Sequence, residues 1–368
     1  MNTNAGKRFQ ILSLSGGGYR GLHTAQILEN IEREIGGRIA KHFDLIAGTS
    51  IGGIIGLALS LEIPAKEIRI SLEEIGPKLF GRNPPAFSTI QDLLKRPSAI
   101  SKLIFTALNW KSLNNDLKYS ESSWFNPEPL RSILLSDAFF SAKRMCDLLH
   151  PTIIPTVNYS TGLPKFYKTD HFYKFTFDKE IPLVDVALGT SAAPIYFPIY
   201  KINNSRIVDG GLIANDPSQV AIHEAMMFFN IRPGLYGDES TGPDDLRVLS
   251  IGTLTNKAIA DTSKPLNQGL TGWGAGIFEL AGSAQEAMAA FMVEHMLPGK
   301  MVRIPSLNSR PEKTTGLADS SEAATEKLKA FADSLIQYEF KNKNFTDLFS
   351  HKGKTLSEVR IIEEKRKC

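Results

Sequence analysis

The chain has little cysteine: its 368 residues include two, Cys146 and Cys368. Neither stands in a metal or redox spacing, and two cysteines cannot form a disulfide framework, so a reducing compartment is expected. Excess charge is also scarce. Lys plus Arg number 42 and Asp plus Glu 39, a net charge of +3 that is too small for a nucleic-acid-binding surface. No apolar run is long enough to span a bilayer. The longest uncharged stretch, Leu45 to Leu61, is broken by glycines and falls short of the roughly 20 apolar residues a span needs. Met1–Arg8 enters a strand-like run without the apolar core of a signal peptide, so none is expected. With 42% hydrophobic and 22% charged residues, disorder is excluded; the length suits one large α/β domain or two ordinary ones.

What the chain does have is glycine-rich turns placed after apolar runs. Phe9–Ser15 reads as a strand. Gly16-Gly17-Gly18-Tyr19-Arg20-Gly21 follows, then a helix over about Leu22–Ile35 that Gly36-Gly37 ends. A second strand-like run, Phe43–Ala47, leads through Gly48-Thr49-Ser50-Ile51-Gly52 into a small, apolar helix, Ile51–Leu59. This strand–helix–strand–helix opening predicts an α/β fold, a mostly parallel sheet with helices on both faces. From about 64 to 159 prolines, asparagines and serines interrupt short helical runs (Ile90–Leu94, Ile100–Leu108), which predicts an insertion or cap over the sheet edge. Further strands are expected at Ile153–Val157, Phe172–Phe177, Arg206–Val208 and Leu246–Gly252. Helices are expected at about Pro217–Phe229 and Ile277–Met296, a glycine-rich loop at Gly269–Gly276, and a charged, helical C-terminal region.

Gly48-x-Ser50-x-Gly52 is the pattern of a serine on a sharp strand-to-helix turn, where the flanking glycines avoid clashes and the helix N-terminus favours developing negative charge. A serine needs a base and an oxyanion site. The consecutive glycines Gly16, Gly17 and Gly18 can turn backbone N–H groups into one small volume, with Arg20 nearby. Gly16-x-Gly18-x-x-Gly21 also fits a dinucleotide fingerprint, and a dinucleotide-binding oxidoreductase is the rival. That fingerprint wants an acidic residue at the end of the second strand, and Asp44 stands at its beginning. Asp209-Gly210-Gly211 puts an aspartate at a strand end, where sheet active sites occur, although Asp-Gly is also a common turn. His223 and His295 both fall on helical runs with no loop to present an imidazole. A Ser–Asp dyad in which Asp209 is a partly desolvated base is the alternative to a histidine base.

In this order, the Gly-Gly-Gly-x-Arg-Gly loop, the Gly-x-Ser-x-Gly turn, Thr190-Ser191-Ala192-Ala193-Pro194 and Asp-Gly-Gly resemble the patatin-like phospholipase family over about residues 9–225. The resemblance implies a three-layer fold: a patatin-like domain over 9–224 with its insertion, and a C-terminal extension over 225–368 completing it. It also implies a lipid acyl hydrolase of phospholipase A type, with Ser50 as nucleophile, Asp209 as base, and Gly16, Gly17, Gly18 and Arg20 as the oxyanion region. Gly21, Gly48, Gly52, Gly210 and Gly211 support these motifs, and the acyl chemistry needs no metal.

Residues Leu12–Gly21 and Phe43–Ile54 look closer still to the cyclic-dinucleotide-activated, CapV-type phospholipase effectors of anti-phage systems. That branch implies a cytoplasmic enzyme acting peripherally on inner-membrane phospholipid, with a cyclic dinucleotide as activator; a homo-oligomer is a candidate state that the sequence does not decide. The sequence carries no nucleotide-site pattern; Arg82, Lys102, Trp110 and Tyr119 are candidate contacts. Ile104, Phe105, Leu108 and Trp110 are candidates for dipping into lipid. The alternatives are a constitutive acyl hydrolase, an acyltransferase using the same serine, and a non-catalytic lipid-binding regulator.

Overall fold

A computed structural model describes residues 7–81, 123–255, 267, 276–306 and 315–367. The strands are β1 (Arg8–Leu14), β2 (Leu45–Gly48), β3 (Thr152–Asn158), β4 (Leu163–Lys168), β5 (Tyr200–Ile202), β6 (Ser205–Asp209), β7 (Asp245–Ile251) and β8 (Met301–Ile304). They form one sheet in the order β5-β6-β3-β2-β1-β7-β8, with β4 paired to β3. Neighbours from β3 to β8 along this order are parallel, whereas β4 and β6 run antiparallel to β3, and β5 to β6. The sheet is therefore mostly parallel with an antiparallel edge.

Apolar residues on both strand faces explain why helices cover both. On one face Leu12, Leu14, Ile46, Ile154, Leu249 and Ile251 pack with α1 (Gly21–Ile35), α2 (Ile51–Ser60), α3 (Ala65–Phe80) and α5 (Leu183–Thr190). The same core takes in α4 (Glu128–Leu134) and Leu328, Ala332 and Ile336 of α8 (Glu322–Glu339), which packs on α1. On the other face Phe9, Ile11, Leu45, Ala47, Ile153, Leu246 and Val248 pack with Ala221, Ile222 and Ala225 of α6 (Ser218–Phe228) and Val293 of α7 (Gly276–Met296). Two short helices, α9 (Lys343–Asp347) and α10 (Leu356–Lys367), close the chain.

Two expectations shift. The stretch expected as an insertion begins with α3 packed on α1 and ends with β3 inside the sheet, so the part outside the sheet and its covering helices is shorter than 64–159. Its middle, with Ile90–Leu94 and Ile100–Leu108, lies outside the described residues. Phe172–Phe177 is turn rather than strand. Its alternating aromatics mimic a strand, but Phe172 and Phe175 gather around Phe228 in an aromatic cluster, and the strand is Leu163–Lys168. Pro164 conceals that strand in the sequence, although a proline is tolerated at a sheet margin.

Candidate active site

The site forms where β1 and β2 end. After β2 the chain turns at Ser50, whose φ of 55° and ψ of −126° put a non-glycine residue in a sparsely allowed conformation. The flanking glycines make the turn sterically feasible. A Cβ on Gly52 would lie 2.3 Å from the Leu14 carbonyl oxygen, and one on Gly48 would lie 2.2 Å from the Gly52 carbonyl oxygen. The Ser50 N–H donates to Thr190 Oγ1 at 3.1 Å, while Gly53 and Ile54 N–H donate to the Ser50 carbonyl, so α2 starts at once. The serine hydroxyl therefore stands at the positive end of a ten-residue helix.

Asp209 ends β6, paired with Thr156 of β3, and is 1% exposed. Its Oδ1 accepts the Gly211 N–H at 2.7 Å and its Oδ2 accepts Ser50 Oγ–H at 2.7 Å. Burial pushes the carboxyl up to about 7, against the opposing pull of the bonds from Gly211 and Ser50. A carboxylate titrating there is ionised in good part at neutral pH and more basic than an ordinary aspartate, the combination a general base requires. No described histidine bonds to Ser50. His223 and His295 are exposed on α6 and α7, and the buried His23 is pushed down to about 3 by desolvation.

The glycine loop supports fewer oxyanion donors than expected. The Gly16 N–H is committed to the Asn215 carbonyl at 3.0 Å, and Tyr19 N–H to the Leu317 carbonyl at 2.8 Å. Gly17 and Gly18, the latter at φ +57°, line the pocket beside Ser50, and their N–H groups have no partner among the described residues. Arg20 is 3% exposed and its Nη1 donates to Glu279 Oε1 at 2.6 Å, so its charge is largely balanced by that carboxylate.

Ser50 and Asp209 lie in a pocket with a mostly apolar wall. Ile51 and Ile54 of α2, Leu72, Ile75, Leu79 and Phe80 of α3, Leu130 of α4, Tyr196, Phe197 and Phe278 supply it. Such a slot can take a linear hydrocarbon chain and leave one polar end at the serine. Ile195, Leu212, Ile213, Ile277 and Leu280, each within three positions in the chain of a pocket-lining residue, are apolar and open to solvent (36–50% exposed).

Four residues of the site were not assigned a role from the sequence: Thr190 as acceptor for the elbow N–H, Asn215 behind the glycine loop, and the pocket-lining Phe278 and Glu279 on α7. The Asn215-Asp216-Pro217 helix start carried the available signal for Asn215. Arg82, Lys102, Ile104, Phe105, Leu108, Trp110 and Tyr119 lie outside the described residues, as does most of Gly269–Gly276. Among the described residues no group of three or more His, Cys, Asp or Glu could hold a metal ion, and no helix is long and apolar enough to cross a membrane.

The sequence profile of the patatin-like phospholipases matches residues 12–222. A cGAMP-activated phospholipase of Pseudomonas aeruginosa is 36% identical over 78% of this chain and 74% of its own length. Another cGAMP-activated phospholipase, from Vibrio cholerae, is 32% identical over 92% of this chain and 94% of its own. Among solved structures, VipD from Legionella pneumophila overlaps 90% of this chain and 67% of that one, with 13% identity and a TM-score of 0.35.

Proposed function

The chain belongs to the patatin-like phospholipase family, and we propose that it hydrolyses acyl esters of membrane phospholipids with Ser50 as nucleophile and Asp209 as its base. The observation that carries this reading is the 2.7 Å hydrogen bond from Ser50 Oγ to a buried, basic carboxylate inside an apolar pocket.

Asp209 takes the Ser50 proton as Oγ attacks the ester carbonyl. The negative charge that develops on the carbonyl oxygen is met by the Gly17 and Gly18 N–H groups and by the N-terminus of α2. The proton then passes from Asp209 to the departing glycerol oxygen, and lysophospholipid leaves an acyl group on Ser50. A water molecule gives its proton to Asp209, attacks the acyl carbon and releases the fatty acid, and the same proton returns to Ser50. The apolar wall supports an acyl-chain substrate, and the exposed apolar side chains of Ile195, Leu212, Ile213, Ile277 and Leu280, close in the chain to pocket-lining residues, support approach to a lipid surface. On this reading residues 9–224 supply the reacting groups, and the C-terminal part supplies a pocket wall through Phe278 and Glu279.

The names of the two bacterial relatives support a finer reading, in which a cyclic dinucleotide switches the enzyme on; the resemblance of Leu12–Gly21 and Phe43–Ile54 to the CapV-type effectors extends that reading to an anti-phage effector degrading membrane phospholipid from the cytoplasmic side. Fatty-acid release from phospholipid vesicles, measured with and without a panel of cyclic di- and trinucleotides, tests both levels. Release that is lost in Ser50→Ala and raised by one nucleotide is expected. Full release without nucleotide removes the switch and keeps the enzyme; no release under any condition removes the hydrolase.

A further inference from the structure

Asn215 bridges both halves of the site without bonding to either reacting side chain. Its carbonyl accepts the Gly16 N–H at 3.0 Å, and its own N–H donates to Gln285 Oε1 at 3.1 Å. A Cβ on Gly16 would lie 2.5 Å from Asn215 Oδ1, and one on Gly211 would lie 3.0 Å from the same atom. The amide is therefore wedged between the glycine loop and the turn after Asp209. Its Nδ2 donates to Glu286 Oε1 at 2.9 Å.

Glu286 belongs to a buried ionic group beneath the pocket. Its Oε2 meets Arg303 Nη2 at 3.1 Å, and Arg303 Nη1 reaches Asp216 Oδ2 at 2.5 Å. Asp216 also accepts from Ser13 Oγ and Ser250 Oγ, each at 2.8 Å. These contacts tie β1, β7, β8 and α7 to the asparagine next to Asp216. Buried ion pairs add little net stability when compared with apolar packing, but they fix geometry, because breaking one leaves an uncompensated charge.

We propose that Asn215 is a positioning residue: anchored by the Glu286–Arg303–Asp216 group, it sets the distance between the Gly16–Gly18 loop and the Ser50–Asp209 pair. The proposal rests on Ser50 being the nucleophile. Oxyanion donors act only where they meet the charge of the transition state, so a loop displaced by a fraction of an ångström loses rate before it loses substrate binding. Neither the glycine pattern nor the serine elbow supplies this restraint.

The test is Asn215→Asp in the full chain, assayed with a water-soluble short-chain ester and with a trifluoromethyl ketone that forms a tetrahedral adduct on serine. The variant has the same size but sets a carboxylate against Glu286. The expected result is a fall in kcat of about 100-fold with KM within about threefold, and a matching loss of ketone affinity. Combining it with Glu286→Gln restores one donor and one acceptor across the same gap and is expected to recover most of the rate. An unchanged kcat, a rise confined to KM, retained ketone affinity, or no recovery in the double variant each overturns the proposal. Ser50→Ala is run alongside: activity that survives in it removes the nucleophile, whereas its loss together with an unaffected Asn215→Asp removes the positioning role alone.

Discussion

Ser50 Oγ and Asp209 Oδ2 lie 2.7 Å apart although 159 positions separate the two residues in the chain. The contact depends on β6 running antiparallel to β3, which brings a strand end from late in the chain beside the elbow after β2. The hydroxyl has a carboxylate partner directly, with no imidazole between them.

The pH dependence follows from that pairing. Asp209 must be ionised to take the serine proton, so kcat/KM is expected to rise with pH through an apparent value near 7 and to be lost on the acid side. Stability runs the other way. Between the ordinary value of 3.8 and about 7 the native state holds a proton that the unfolded chain has released, so this group's contribution is present at low pH and lost as pH rises through about 7. Asp209→Asn is therefore expected to raise the melting temperature more at pH 8 than at pH 5. A pH–rate profile and thermal melts check both.

Gly52→Ala is expected to cost at least about 3 kcal/mol, because its Cβ would meet the main-chain oxygen of Leu14 at 2.3 Å, where no flexible side chain can yield. Denaturant titration measures it. Ser50→Gly should do the opposite, relieving a strained φ of 55° by about 1 kcal/mol or more while abolishing activity.

Acyl-chain preference should follow α3. Ile75 and Leu79 line the pocket, and replacing Ile75 with Trp is expected to fill it. A series of esters of increasing chain length would show kcat/KM retained for short chains and reduced at least about tenfold for long ones, the scale of a few methylenes denied burial.

Docking on lipid should depend on the exposed apolar side chains next to the pocket-lining segments rather than on the chemistry. The pair of changes Leu212→Asp and Ile277→Asp places charge at two exposed apolar positions. Vesicle cosedimentation and vesicle hydrolysis are expected to fall together, while hydrolysis of a water-soluble ester stays within about twofold.

The elbow and the aspartate that bonds to its serine were legible in the sequence because their steric demands are local. Gly48 and Gly52 are required by backbone only a few residues away or on the adjoining strand, and Asp209 announces itself through the two glycines that follow it. The donor set was less legible. Nothing near Arg20 indicates that Glu279, 259 positions later, balances its charge, and nothing near Gly16 indicates that its N–H is taken by the Asn215 carbonyl. Asn215 itself depends on Glu286, 71 positions on. Phe172–Phe177 misled for a related reason: its alternation matches a strand, and the cluster with Phe228 that bends it into turns is tertiary.

The most direct test of the Ser50–Asp209 assignment is fatty-acid release from phospholipid vesicles by purified Asp209→Asn, under conditions in which the wild-type chain is active and with folding verified by its melting curve. The hydrogen-bond geometry predicts a loss of at least about 1,000-fold, comparable with that of Ser50→Ala, because an amide of the same shape cannot accept the serine proton. Release within about tenfold of the wild type would contradict the dyad and require another base for Ser50.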